Sequence, residues 1–254
     1  MTQRTSSLTR AILAPNPGPM TLDGTNSYLI GRPGTSLVVV DPGPADGDHI
    51  AALAAEGPIG LILITHHHAD HTAASEQLHR ITGAPVRALD PAHCHGGEPL
   101  VDGEVLEAGG TSIRVIATPG HTADSVCFHL PDDGAHGSVL TGDTILGRST
   151  TVIIPGDGSL AAYLSSLDSL AELGPAWVLP AHGPTLPDLA AVCATLKEHR
   201  MRRLDEVRKV VATLGDDASV HLVTDRVYGH IDPAVRFAAE ASVESQLDFL
   251  RSAR

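Results

Sequence analysis

The chemistry of this chain is concentrated in one octapeptide, Thr65-His66-His67-His68-Ala69-Asp70-His71-Thr72. It follows an apolar run over residues 60–64 that reads as a strand, so the histidines stand at the C-terminal end of that strand. His66 and His68 lie two apart and point the same way in extended or turn geometry. Asp70 and His71 open the next helix, where the helix dipole favours a carboxylate. Imidazoles and carboxylates in one cluster are metal ligands. A pair of metals needs about three protein ligands each, and the octapeptide supplies His66, His68, Asp70 and His71 at most. The remainder must come from other strand ends. His121 in Pro119-Gly120-His121 follows the apolar run 112–117, Asp143 in Gly142-Asp143-Thr144 follows 138–140, and His182 in Ala181-His182-Gly183 follows 177–179. Taken singly, each is an ordinary turn residue. As an ordered set, each placed after a strand, they describe a dinuclear metal site.

The elements that must position these residues are legible as short apolar runs between glycine-rich turns. Residues 26–31, 36–40, 60–64, 112–117, 125–130, 138–140 and 177–179 read as strands, and 69–81 and 159–173 as helices. The strands stop at Pro187. Asp188 can cap a long helix to about residue 214, a second helix is expected over 219–228, and a third starts with Pro233 at its first position and runs to about 250. Residues 1–187 are therefore expected to form the catalytic domain, and 188–254 a small all-helical appendage.

Composition narrows the function. The chain has 254 residues, 42% hydrophobic and 19% charged, enough for a large folded core. Its net charge of −13 excludes a globally basic nucleic-acid binder. Fifteen histidines outnumber the seven aromatics, and five of them fall in the metal set. Three cysteines without CxxC spacing argue against a disulfide framework or a thiolate metal site and suit a reducing compartment. No apolar run reaches the roughly 18 residues of a membrane helix, and the start lacks the apolar stretch of a secretory signal. The expectation is a cytoplasmic protein with no membrane partner.

The pattern H-x-H-x-D-H, then Gly-His, Gly-Asp and His-Gly, resembles the metallo-β-lactamase superfamily over roughly residues 10–187. The resemblance implies an αββα sandwich, two mixed sheets with helices outside. It assigns His66, His68 and His121 to one metal, Asp70, His71 and His182 to the second, and Asp143 to both. It implies two zinc ions per chain, with manganese or iron as alternatives, and makes Asp70 and Asp143 catalytic as well as ligating. Asn16-Pro17-Gly18-Pro19-Met20, Gly24-Thr25-Asn26-Ser27-Tyr28 and Gly142-Asp143-Thr144-Ile145-Leu146-Gly147 resemble the group of beta-lactamase-like protein two. The tail is similar to that group's winged-helix-like appendage, without an evident wing.

Around the metals, Asp41 at the end of Val38-Val39-Val40 is placed to orient a ligating histidine. His67 alternates away from its neighbours toward the rim. Asn26, Tyr28, Arg148 and Thr150 are candidates for the substrate rim. His93 and His95, which flank Cys94, read as a polar loop.

Such a site holds a bridging hydroxide at neutral pH that attacks a carbonyl or phosphorus. The resemblance implies a phosphodiester substrate, single-stranded RNA, supported by Lys197, Arg200, Arg202, Arg203, Arg208 and Lys209 on the first tail helix. Against it stands the −12 of residues 1–187, 7 Arg against 19 acids. The other expectation is a thioesterase or a glyoxalase II-like hydrolase of a small ester or thioester, with physiological β-lactam hydrolysis last. The tail is also open to a homodimer: Val235, Phe237, Ala238, Val243, Leu247 and Leu250 give its third helix an apolar face.

Overall fold

The structure, a computed structural model, describes residues 2–252. The first half builds a six-stranded sheet from β1 (Thr2–Arg4), β2 (Thr9–Leu13), β3 (Asn26–Ile30), β4 (Leu37–Val40), β5 (Ile59–Leu63) and β6 (Val86–Arg87), in that spatial order. The pairings are antiparallel up to β4 and parallel from β4 through β6. A second sheet follows, with β7 (Val105–Ala108), β8 (Thr111–Ala117), β9 (Val126–Leu130), β10 (Ser138–Gly142) and β11 (Trp177–Pro180). Its order is β11-β10-β9-β8-β7, and only β10 and β11 run parallel.

The two-residue period of a strand explains the layers. In β4, Val38 and Val40 join Leu63, Val115, Phe128 and Leu140 between the sheets. Val39 points the other way, to Leu53, Ile62 and Leu78 under the helices α1 (Gly47–Ala55) and α3 (Ser75–Thr82). On the far side, Val139 and Val178 pack under α4 (Leu160–Ala171) with Tyr163 and Leu167. The result is an αββα sandwich.

Two helices depart from their expected form. The helix read over 69–81 is broken into α2 (Ala69–Thr72) and α3, because the Ala74 amide leaves the ladder and donates to the Gly43 carbonyl at 3.1 Å. The stretch 47–55, to which the sequence assigned no element, is α1, capped by Asp46, whose carboxylate accepts the His49 amide at 2.8 Å.

Three helices follow residue 187: α5 (Leu189–Leu214), α6 (Val220–Tyr228) and α7 (Arg236–Ser252). Asp188 caps α5, accepting the Ala191 amide at 3.1 Å. Pro233 begins a single 3₁₀ turn ahead of α7. The start of α5 shares the core of α4 through Leu189, Cys193 and Leu204. Farther along, Val207, Val211, Val223, Val243 and Leu247 form a cluster of their own. The apolar residues of α7 thus divide: Val243 and Leu247 are buried, while Phe237 is 52% exposed. Among the described residues no helix is long and apolar enough to cross a membrane.

One polar tie lies at the edge of the sandwich remote from the histidines. Buried Asp133 accepts from Ser7 Oγ at 2.5 Å, the Leu8 amide at 3.0 Å and Ser138 Oγ at 2.5 Å, joining the two sheets. Burial raises its pKa, but these donors outweigh burial and hold it below the usual value. A carboxyl depressed in the folded state stabilises above its unfolded pKa and loses that contribution as pH falls. Asp133→Asn is expected to cost about 1–3 kcal/mol at pH 7. In urea unfolding the difference from the parent should shrink below about pH 4; a pH-independent difference would refute the charge-based account.

Candidate metal centre

Every expected ligand lies at one edge of the sandwich, where strands end. β4 delivers Asp41, β5 delivers Thr65 and His66, β8 leads to His121, β10 ends at Gly142 before Asp143, and β11 leads to His182. Gly142 adopts φ +49°, and a Cβ there would lie 2.6 Å from Thr65 Oγ1, so a side chain at that position would drive the two sheets apart.

The candidate donor atoms form two neighbouring groups. His68 Nδ1 lies 3.1 Å from His66 Nε2 and 3.2 Å from His121 Nε2. In the other group, His182 Nε2 is 3.2 Å from Asp70 Oδ2, and His71 Nε2 is 3.5 Å from the same oxygen. Asp143 stands between them. Its Oδ2 is 3.7 Å from His121 Nε2, and its Oδ1 is 3.3 Å from His182 Nε2 and 3.6 Å from His71 Nε2. The sets His66-His68-His121 and Asp70-His71-His182 each bring their ligand atoms within 4.8 Å of one another, as a metal ion requires.

The donor set also carries a deficit. His71 Nε2, His182 Nε2 and Asp143 Oδ1 are buried with no hydrogen-bond partner. The short approaches among them are ion pairs without hydrogen-bond alignment. Orphaned buried polar atoms cost about 1–3 kcal/mol each, and three converging on one point suit a cation.

The outward nitrogen of each ring is tied elsewhere, which fixes the inward one. His71 Nδ1 donates to Asp41 Oδ2 at 2.8 Å. His121 Nδ1 donates to the Val152 carbonyl at 2.7 Å, and His182 Nδ1 to that of Gly24 at 3.1 Å. His68 is reversed: its Nε2 donates to Asp157 Oδ2 at 3.1 Å, leaving Nδ1 inward. For His66, Nδ1 lies 3.0 Å from Thr65 Oγ1, which donates its own proton to Asp41 Oδ2 at 2.7 Å.

Protonation follows the surroundings. Burial, reinforced by the rings of His71, His121 and His68, holds His66 well below the ordinary histidine value. Burial also keeps His121 low despite Asp143. For His71 burial is outweighed by Asp41 and Asp143, which raise it well above that value. His182 is raised against burial by Asp70 and Asp143. Burial opposes ionisation of Asp70, but the adjoining His182 and His71 rings depress its pKa far below the usual range.

The remaining candidates separate. Asp41 stands directly behind His71. Thr150 lines a cavity of about 310 Å³ that opens onto His121 and Asp143. Tyr28 does not reach the rim: it is 2% exposed in the core between the sheets, and its hydroxyl donates to the Pro180 carbonyl at 2.9 Å. Asn26 spends its amide on the carbonyls of Pro180 and Gly183, both at 3.0 Å. Arg148 is exposed and pairs with Asp23 at 2.7 Å. His67 faces the rim, bonded to Asp124 at 2.9 Å and stacked on His93. Asp124 and Asp157 escaped the sequence reading. Asp157 lies in Pro155-Gly156-Asp157-Gly158, indistinguishable there from a turn aspartate. Asp124, three residues after His121, offered only that spacing.

Residues 20–182 match the family model described as the metallo-beta-lactamase superfamily. The chain is 35% identical over 213 residues to an atrochrysone carboxyl ACP thioesterase from Aspergillus chevalieri, covering 80% of this chain and 64% of that protein. It thus spans just under two thirds of that relative's length. It is 33% identical to a beta-lactamase-like protein 2 homolog from Caenorhabditis elegans, covering 95% of this chain and 83% of the relative. A beta-lactamase domain protein from Burkholderia ambifaria has the same fold, with a TM-score of 0.81 at 22% identity over 99% of this chain and 88% of that one.

Thr65→Val keeps the shape of the side chain but removes the donor to buried Asp41. In the chelated protein it is expected to lower unfolding free energy by about 1–3 kcal/mol. Unchanged urea denaturation would show that this hydroxyl carries no stability.

Proposed function

The chain belongs to the metallo-β-lactamase superfamily and is a metal-dependent hydrolase of that family, and from this premise we propose that it cleaves small acyl thioesters or esters at a dinuclear centre. His66, His68 and His121 would hold one cation and Asp70, His71 and His182 the other, with Asp143 standing between the two sets. When bound there, divalent cations supply Lewis acidity and a nucleophile at neutral pH. The imidazole-rich donor set with carboxylates suits zinc, with manganese or iron also compatible. The chain's own part is to hold seven donors in fixed directions. Asp41 and Asp157 orient His71 and His68, and the carboxylates of Asp70 and Asp143 would supply oxygen donors to the cations.

The observation that carries the substrate class is the cavity at His121 and Asp143. Met20, Leu22, Leu146 and Val152 are among its walls, and no lysine or arginine among the described residues lines it. An apolar, cation-free pocket suits the acyl part of a neutral ester better than a phosphodiester. Four of the six basic side chains on the first tail helix are also engaged elsewhere. Lys197 bonds to Asp168 at 2.6 Å, Arg203 to Glu206 at 2.7 Å, and Arg208 to Asp205. Arg200 is buried. The thioesterase named among the relatives supports the same reading. Phosphodiester cleavage, which the resemblance of the sequence motifs implies, is the second reading.

Metal-loaded protein should be assayed in parallel on acyl thioesters, p-nitrophenyl esters, bis(p-nitrophenyl) phosphate, single-stranded RNA and a chromogenic cephalosporin. Acyl substrates are expected to be turned over, and Asp143→Ala should lower kcat/KM by at least about 10²-fold. RNA cleavage that depends on Asp143, with thioesters and esters untouched, would replace this reading by the phosphodiester one.

Chelation supplies an independent check on the centre. Removing a ligand held at 100 times its Kd withdraws about 2.7 kcal/mol, so Tm is expected to fall by roughly 5–10 °C. It should recover on adding back zinc; a melting curve insensitive to both treatments would refute the assignment.

A further inference from the structure

The cavity beside His121 and Asp143 has two unlike walls. One comes from the catalytic part, through Leu146 and Val152. The other comes from the C-terminal helices, through Tyr228 at the end of α6, Ile231 in the turn, Val235 in the 3₁₀ turn and Ala238 in the first turn of α7. The second wall has no ligating or ionisable side chain apart from the Tyr228 phenol, whose pKa burial raises. Val235 on this wall is 37% exposed, and Met20 opposite is 39% exposed, so apolar surface faces the cavity uncovered. Such surface next to polar catalytic groups is where an apolar part of a substrate lies.

We infer that the C-terminal helices form the acyl-binding wall of the active site, and that Ile231, Val235 and Ala238 set the size of the acyl group accepted. This rests on the (thio)ester reading above and extends it. A scissile carbonyl at the centre has its acyl substituent directed into the cavity, and the leaving group remains outside. The volume of about 310 Å³ is at the lower end of small-ligand pockets, roughly 300–1,000 Å³, and so admits a short or medium chain. With no lysine or arginine in the lining, an acyl group bearing a second carboxylate finds no counter-charge. The ligand class is therefore a neutral aliphatic acyl thioester or ester, and the tail acts as a specificity element.

The test uses the full metal-loaded chain, with acetyl, butyryl, hexanoyl, decanoyl and malonyl coenzyme A and the p-nitrophenyl esters of the same monoacids. Ala238→Trp is expected to lower kcat/KM for hexanoyl relative to acetyl substrates by at least about tenfold, the smallest effect of one misfitting methylene. Val235→Ala is expected to move the preference toward longer chains, and it decides the matter if the tryptophan variant does not fold. Malonyl turnover should be slower than butyryl. An unchanged chain-length profile in folded variants overturns the wall while leaving the hydrolase reading intact. If no acyl substrate is cleaved, that reading fails, and hexanoate binding by calorimetry then decides the wall. Binding weakened at least tenfold by Ala238→Trp supports it, and no binding to the parent overturns it.

Discussion

The donor atoms of seven side chains must face one another at one edge of the sandwich, and most of the structure answers that constraint. Left to themselves, the inward nitrogens of His71 and His182 and the inward oxygen of Asp143 would turn away to find partners. The two rings cannot, because each is held by its other nitrogen. The anchors are Asp41, Gly24, Val152, Asp157 and Thr65, drawn from separate segments of both sheets and their loops. The sandwich therefore does more than bury apolar surface. It brings five hydrogen-bond partners for the rings to one edge, two of them, Asp41 and Thr65, bonded to each other. The rings and carboxylates so held favour bound cations, because only a cation relieves all three orphaned atoms together.

Thr65 and Asp41 are the joint where this arrangement is braced. The Thr65 amide donates to Asp41 Oδ1 at 2.8 Å, and its hydroxyl to Oδ2. Its carbonyl accepts the Val126 amide at 2.8 Å, across to the second sheet. Asp41 adopts φ +51°, a left-handed conformation that costs about 1–2 kcal/mol for a residue with a Cβ. That cost is offset because the turn aims the carboxylate back at β5, where it collects the Thr65 amide, the Thr65 hydroxyl and the His71 ring. Through Thr65 Oγ1 the same carboxylate also reaches His66. One aspartate thereby orients a histidine in each ligand group, and its strained backbone belongs to the site's design.

The cluster of donor residues was legible in the sequence because its members combine a distinctive residue type with a strand end. A strand reads as an apolar run, and the residue after it occupies a predictable place. Asp41 was legible for the same reason, standing directly after Val38-Val39-Val40. Asp157 was not, since Pro155-Gly156-Asp157-Gly158 is also what an idle turn looks like, and only the folded chain brings it against His68. Tyr28 misled in the other direction. It belongs to a short strand near the site in sequence, yet the two-residue period turns its ring between the sheets. Helix α1 was hidden by its glycine and aspartates, which suit a turn as well as a capped first turn. The break after α2 depends on a bond from Ala74 to Gly43, distant in sequence and absent from any local pattern.

The tail is bound to the centre more closely than its separate composition suggests. Arg200, on α5, is 5% exposed and donates to the Thr151 carbonyl, with its guanidinium over the Tyr163 ring at 5.1 Å. The next carbonyl along, Val152, is the one that accepts from His121 Nδ1, and Thr151 Oγ1 lies 3.1 Å from the same nitrogen. A buried charge of this kind is costly unless paired or fully hydrogen-bonded. Arg200 meets part of that need only where the 151–152 segment runs as it does. The stacking over Tyr163 and the bond to Thr151 thus fix the helix and the loop with respect to each other. Since that loop fixes His121, the position of α5 and the direction of a ligand nitrogen are set by one packing arrangement, and a chain that loses the first cannot keep the second unchanged.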